Sequence, residues 1–312
     1  MTETGGMKMI EKLKKKIRKS RVIRVLFSRK STVLCMAVLL IMILAAVFAP
    51  LIAPHDPYAQ DLISRLQGIS PQHILGTDVT GRDVFSRIIY GGRISFTVGL
   101  VSVFLAGAAG MALGMTAGIA GGIVDSVIMR IMDAMMSIPM IIMALFLGSI
   151  FGKGLGNLCL AISICMIPLY ARVTRGQVLT VRQMDYVTAA KLCGASKLRI
   201  AVTHIFPNCV SSNIVLMTMN LGNAILCEAS LSFLGMGINP PTASWGGMVN
   251  DGYTYMSSNP IIAIAPGICI MIVVLCFNMV GDALRDALDP KLRGTLRKKK
   301  ERKARGYGIK TS

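Results

Sequence analysis

Apolar residues run in blocks along this chain, and the polar residues collect between them. The first block, residues 33–53, carries no charge. It is about 20 residues long, enough at 1.5 Å per residue to cross roughly 30 Å of hydrocarbon. Further blocks fall at 94–120, 127–151, 155–171, 210–234 and 261–283. The pattern predicts an all-α integral membrane protein with about six transmembrane helices. A basic head before an apolar run is also the shape of a signal peptide. This run is too long for one, ends in Pro50 and Pro54, and shows no small-x-small cleavage site, so it reads as an uncleaved anchor. The segment 235–260, rich in Gly, Pro, Ser and Asn, either dips into the membrane or lies on its surface.

Composition supports a chain divided between lipid and water. Of 312 residues, 53% are hydrophobic and 16% charged, against roughly 25% charged in a soluble domain. The net charge of +19 sits mainly at the ends: eleven basic residues precede Ser31 and eleven more run from Arg285 onward. No nucleic-acid-binding signature accompanies them, so they read as cytoplasmic anchors beside anionic membrane lipid. With the N-terminus inside, 29 Lys and Arg fall on cytoplasmic segments and five (Arg65, Arg82, Arg87, Arg93, Lys153) outside. The positive-inside rule therefore sets both ends in the cytoplasm. The division that results is a basic tail at 1–32, a first helix at 33–53, an extracytoplasmic segment at 54–93, a five-helix core at 94–284 and a second basic tail at 285–312.

Within the spans, few residues invite chemistry. The eight cysteines form no C-x-x-C pair and read as packing residues. Gly148–Gly154 lacks Walker A spacing, and no nucleophile–base pair or zinc motif is present, so neither catalysis nor a cofactor is expected. The methionines crowding the third span cover more than one helix face, which favours packing over a Cu(I) path. Gly110, Gly114, Gly118 and Gly122 recur every fourth residue and predict close helix packing, with sliding between helices as the alternative. Pro139 and Pro168 predict kinks. Asp133 lies three residues after Arg130, which suggests a local clamp. Glu228 is a deep carboxylate without a local partner; it either lines or gates a pathway or bonds a neighbouring helix. His73, Asp78 and Asp83 read as local structure and not as a metal site. Thr77 or Asp78 can cap a helix, and Asp78–Arg82 and Asp83–Arg87 have ion-pair spacing.

The cytoplasmic stretch 172–208 is the most informative. Asp185 is a candidate N-cap for a short helix through Tyr186, Ala189 and Ala190, and Gly194 suits the left-handed position that ends it. Ser196 can start a second helix through Ile200, stopped by Pro207. Ala189, Ala190 and Ala195 offer small surfaces to a partner's groove.

The pattern Y-V-x-A-A-x-x-x-G-A from Tyr186 to Ala195, followed by Ile200, His204 and Pro207-Asn208, resembles the EAA loop of ABC importer permeases, with Thr188 in place of the eponymous Glu. Three further motifs resemble the same family. They are the outer run from His73 to Ser95 (with Gly76, Asp78, Gly81, Arg82, Asp83 and Arg87), Glu228 to Gly235 with Ser244-Trp245-Gly246, and Gly281 to Pro290. Together they are similar to the C-type permease of dipeptide, oligopeptide and nickel importers. That resemblance implies a type I importer transmembrane fold in a bacterial inner membrane. It implies a coupling loop gripped by one or two ATPase subunits, a second homologous permease, and a solute-binding protein delivering peptide, or nickel as the alternative. A stand-alone secondary transporter or channel is the competing class; it predicts inverted repeats or charge rings, which the sequence does not display.

Overall fold

The computed structural model describes residues 26, 27 and 29–288. Nearly all of both basic tails lies outside the described residues. Among the described residues there is no strand beyond one isolated bridge, Thr77 to Asp83. Among the described residues five helices are long and apolar enough to cross a membrane, or six when a pair bent by 95° is counted as one span.

The first crossing is α1 (Lys30–Val47). It is shorter than the apolar block 33–53 because Pro50 starts a separate turn, α2 (Ala49–Ile52), after a break at Phe48. The second is α3 (Val84–Ala120), 37 residues long. It begins ten residues before the apolar block because Asp83 caps it: the Asp83 carboxylate accepts from the Ser86 N–H at 2.8 Å. α3 thus begins inside the segment 54–93 read as extracytoplasmic.

The third crossing is broken. α4 (Gly122–Met136) and α5 (Met140–Phe151) meet at 95° across Ser137–Pro139. Pro139 cannot continue a helix, so the kink expected of it is a full break. Pro168, by contrast, lies inside the continuous α6 (Leu155–Arg182), which runs well past the apolar block. The short α7 (Asp185–Leu192) and α8 (Lys197–Ile200) follow. Five π-helical residues, Ala201–Ile205, then join α8 to α9 (Phe206–Phe233). Pro207 was expected to stop the second loop helix. It instead occupies the first turn of α9, where its missing N–H has no obligatory partner, and Lys197–Phe233 runs as one span. α10 (Trp245–Tyr253) packs on α9 and on the last span, α11 (Ile261–Leu288).

Arg29 and Asp286 pair at 3.0 Å. The start of α1 and the end of α11 thus share one face, as an even number of crossings requires. The largest core joins α3, α5, α6 and α9 through Val98, Ala144, Ile162, Tyr170 and Leu231. Large apolar side chains also cover the outside, with Ile41, Phe104, Ile123 and Phe146 more than 60% exposed. That distribution suits hydrocarbon as the surrounding solvent.

The glycine strip packs α3 onto α6. A Cβ on Gly110 would sit 2.5 Å from that of Tyr170, and one on Gly118 would sit 2.7 Å from that of Val178. Gly122 does not belong to the strip: it opens α4 after Gly121 turns the chain, with open space around it.

Candidate functional site

α7 is anchored on one side and open on the other. Val187 is fully buried in a cluster with Val178 and Val181 of α6, Ile200, Ile205 and Cys209. Met111, Met115 and Ile119 of α3 pack against the same cluster. Asp185, Tyr186 and Ala189 point outward. Met184, not Asp185, holds the N-cap position, and Asp185 sits in the first turn, where a carboxylate favours the positive helix end. The C-terminal end is closed by two hydrogen bonds. The Gly194 N–H donates to the Lys191 carbonyl and the Ala195 N–H to the Ala190 carbonyl, both at 3.0 Å. This is a Schellman motif, and Gly194 takes the left-handed conformation it demands, φ 81°. Ser196 then caps α8, accepting from the Arg199 N–H at 3.3 Å.

The alanines divide. Ala189 is exposed, while Ala190 and Ala195 pack inward against the cluster and are not free contact surface. Ile200 is a buried anchor, whereas Gly194 and Pro207 are exposed. Leu192 and Leu198 are 85% and 74% exposed and extend the open face. Neither stood out in the sequence, because an isolated Leu in a helix reads as core.

At the opposite end, Gly76 and Gly81 both have positive φ, and a Cβ on Gly81 would collide with the Asp61 backbone. Asp78, Arg82, Asp83 and Arg87 are all buried. Arg82 Nε lies 2.7 Å from Asp78 Oδ2, the expected pair. Arg87 does not pair with Asp83. It reaches the same Asp78 oxygen at 3.3 Å and donates to the carbonyls of Pro57 and Pro241. Asp83 is committed to capping α3, so the helical spacing to Arg87 was misleading. Burial alone would raise the Asp78 pKa. The N–H groups of Arg82 and Thr80, with both guanidiniums, outweigh it and hold the carboxyl below its usual range.

Glu228 is fully buried inside the subunit. Ser232 donates to Oε1 at 2.7 Å and Ser95 to Oε2 at 2.9 Å, which ties α9 to α3. Asp133 is half exposed and pairs with Arg172 of α6, not with Arg130. One helical turn or more away, Asp125 takes a bidentate contact from Arg175 at 2.5 and 2.6 Å. These two pairs fasten α4 to α6.

The structure is thus a helical bundle of membrane-crossing length with a Schellman-ended helix exposed at one end. Comparison with known proteins makes that specific. Residues 110–294 match the family described as binding-protein-dependent transport system inner membrane component. Residues 20–68 match the N-terminal TM domain of oligopeptide transport permease C. The glutathione transport system permease protein GsiD of Escherichia coli O157:H7 is 41% identical over 256 residues, covering 82% of this chain and 84% of that protein. The counterpart in Shigella dysenteriae is 40% identical over the same shares. Among solved structures, an inward-facing MetNI methionine ABC transporter chain is similar in fold, with TM-score 0.53 and 17% identity, covering 65% of this chain and 97% of that one. The chain belongs to the binding-protein-dependent transport system inner membrane components, the permease subunits of ABC importers. It is a multi-pass inner-membrane protein.

Proposed function

We propose that this chain is one of two homologous permease halves of an importer for small peptides, and that ATPase subunits grip it at α7. The observation that carries the coupling role is the two-sidedness of α7. Val187 roots it in the bundle while Asp185, Tyr186, Ala189 and Leu192 stay open to a partner. Force applied to the open face passes to α3, α6 and α9 through the Val187 cluster. ATP hydrolysis is assigned to the partners, since the chain carries no Walker A motif. Peptide as the cargo is supported by the relatives named for glutathione transport and by the oligopeptide-permease match at the N-terminus. A solute-binding protein would dock at the outer end, around the buried Gly76–Arg87 motif. Glu228 acts as an internal clamp between α3 and α9 and not as a lining group, because both its oxygens are engaged within the subunit.

The test is uptake by proteoliposomes holding the chain with its partner permease, ATPases and binding protein. ATP-dependent uptake of labelled glutathione or dipeptide is expected. Uptake of radioactive Ni²⁺ without peptide uptake overturns the cargo assignment.

A further inference from the structure

The outer end holds a second cluster that the coupling scheme does not use. His55 follows α2, His73 lies in the loop before Gly76, and Asp83 caps α3. One ligand atom from each lies within 4.8 Å of the others. His73 Nδ1 is 2.9 Å from Asp83 Oδ1, and His55 Nδ1 is 3.8 Å from the same oxygen. The two imidazole rings are 4.8 Å apart between centroids and tilted by 36°. Two ring nitrogens thus converge on one carboxylate oxygen.

These separations suit a shared cation. Zn²⁺ binds imidazole nitrogen and carboxylate oxygen near 2.0–2.2 Å, which places tetrahedral ligand atoms about 3.4 Å apart. The observed 2.9 and 3.8 Å lie on either side of that value. The carboxylate is also held in place. Asp83 Oδ2 accepts from the Ser86 N–H at 2.8 Å and the Ser86 hydroxyl at 2.7 Å. The His55 backbone N–H donates to that same hydroxyl at 3.2 Å. Such support orients a ligand before the ion arrives.

Exposure grades from anion to solvent: 1% for the Asp83 side chain, 18% for His73 and 40% for His55. An ion therefore has a route in from solvent on the His55 side. The nearby guanidiniums are engaged elsewhere, Arg82 and Arg87 with Asp78, and Arg82 also with Asp251 at 3.7 Å.

We propose that His55, His73 and Asp83 bind a divalent first-row transition ion of the Zn²⁺ type through two imidazole nitrogens and one carboxylate oxygen. The ion pins two separated parts of the outer segment, around His55 and His73, to the Asp83 cap of α3. Along the sequence His73 falls beside Asp78 and Asp83, a grouping that suits local structure and not a metal. Asp78 belongs to the arginine pair instead, and His55, eighteen residues upstream of His73, completes the set. This site stands on its own geometry and is independent of the transport assignment.

The test uses the full chain purified in detergent without a histidine tag, stripped with EDTA and titrated with Zn²⁺ by calorimetry. One Zn²⁺ per chain is expected. His55→Ala and His73→Gln should each weaken binding at least about tenfold. His204→Ala, which alters the remaining histidine near Tyr186 of α7, should bind as the wild type does. His73→Gln keeps a hydrogen-bond donor for Asp83 and so separates ion binding from that hydrogen bond. Thermal midpoints give a second reading: Zn²⁺ should raise that of the wild type and of His204→Ala, but not that of His55→Ala. Absence of stoichiometric binding, wild-type affinity in either outer-histidine variant, or a wild-type Zn²⁺ shift in His55→Ala overturns the site.

Discussion

At the scale of single residues, two positions carry sharp tests. Gly194 has open space around it, so a side chain there would meet no atom. Its φ of 81° alone excludes most residues, at about 1–2 kcal/mol for an L side chain in the left-handed region. Gly194→Val should lose ATP-dependent uptake while membrane insertion survives; Gly194→Asn, which tolerates that conformation, should keep most of it. Uptake assays on both variants decide. Asp78 is the second position. It neutralises two buried guanidiniums, and Asp78→Asn should destabilise the outer segment by about 3–5 kcal/mol, read as faster hydrogen exchange over residues 54–83. The pH dependence has a fixed sign. The folded pKa lies below the ordinary 3.8, so this stabilisation is complete above that value and fades as pH falls through the lower folded one. Gly194 was legible in the sequence because a helix end of this kind demands glycine. The partner of Arg87 was not, because helical spacing cannot reveal that Asp83 is already spent on a cap.

At the scale of elements, the α3–α6 contact is the tightest test of packing. A methyl on Gly114 would strike the Ala171 carbonyl and lie 2.8 Å from the Thr174 Cβ. Gly114→Ala should therefore cost about 1–3 kcal/mol through overpacking. Gly176, on the exposed side of α6, has nothing within 4 Å. Gly176→Ala should be neutral or stabilising by about 0.5–1 kcal/mol, since glycine weakens a helix interior. Detergent thermal midpoints of the two variants give the comparison. The glycine period showed that some helix lies close, and only the fold names α6. The fusion of α8 with α9 was hidden for a different reason. Proline normally ends a helix, and the π turn that lets Pro207 begin one leaves no mark in the hydrophobic pattern.

At the scale of the whole molecule, the apolar blocks and the Lys and Arg bias revealed the crossings well, because lipid imposes length and charge rules on every span. What they could not reveal was where helices continue beyond the hydrocarbon, since α3, α6 and α9 extend as polar or mixed sequence. The chain purified alone should neither bind ATP nor move solute. Nucleotide binding measured by filter assay, or uptake driven by an ion gradient in proteoliposomes, would contradict the subunit assignment. α3 gives this architecture one further property. Its 37 residues make a rod about 55 Å long, with the Asp83 cap at one end and Met115 and Ile119 beneath α7 at the other. A rigid seesaw of that length, tilting by about 10° about its middle, carries its two ends about 5 Å in opposite directions. If the coupling proposed for α7 tilts this rod, pressure on the cytoplasmic face becomes displacement of the Asp83 cap on the outer one.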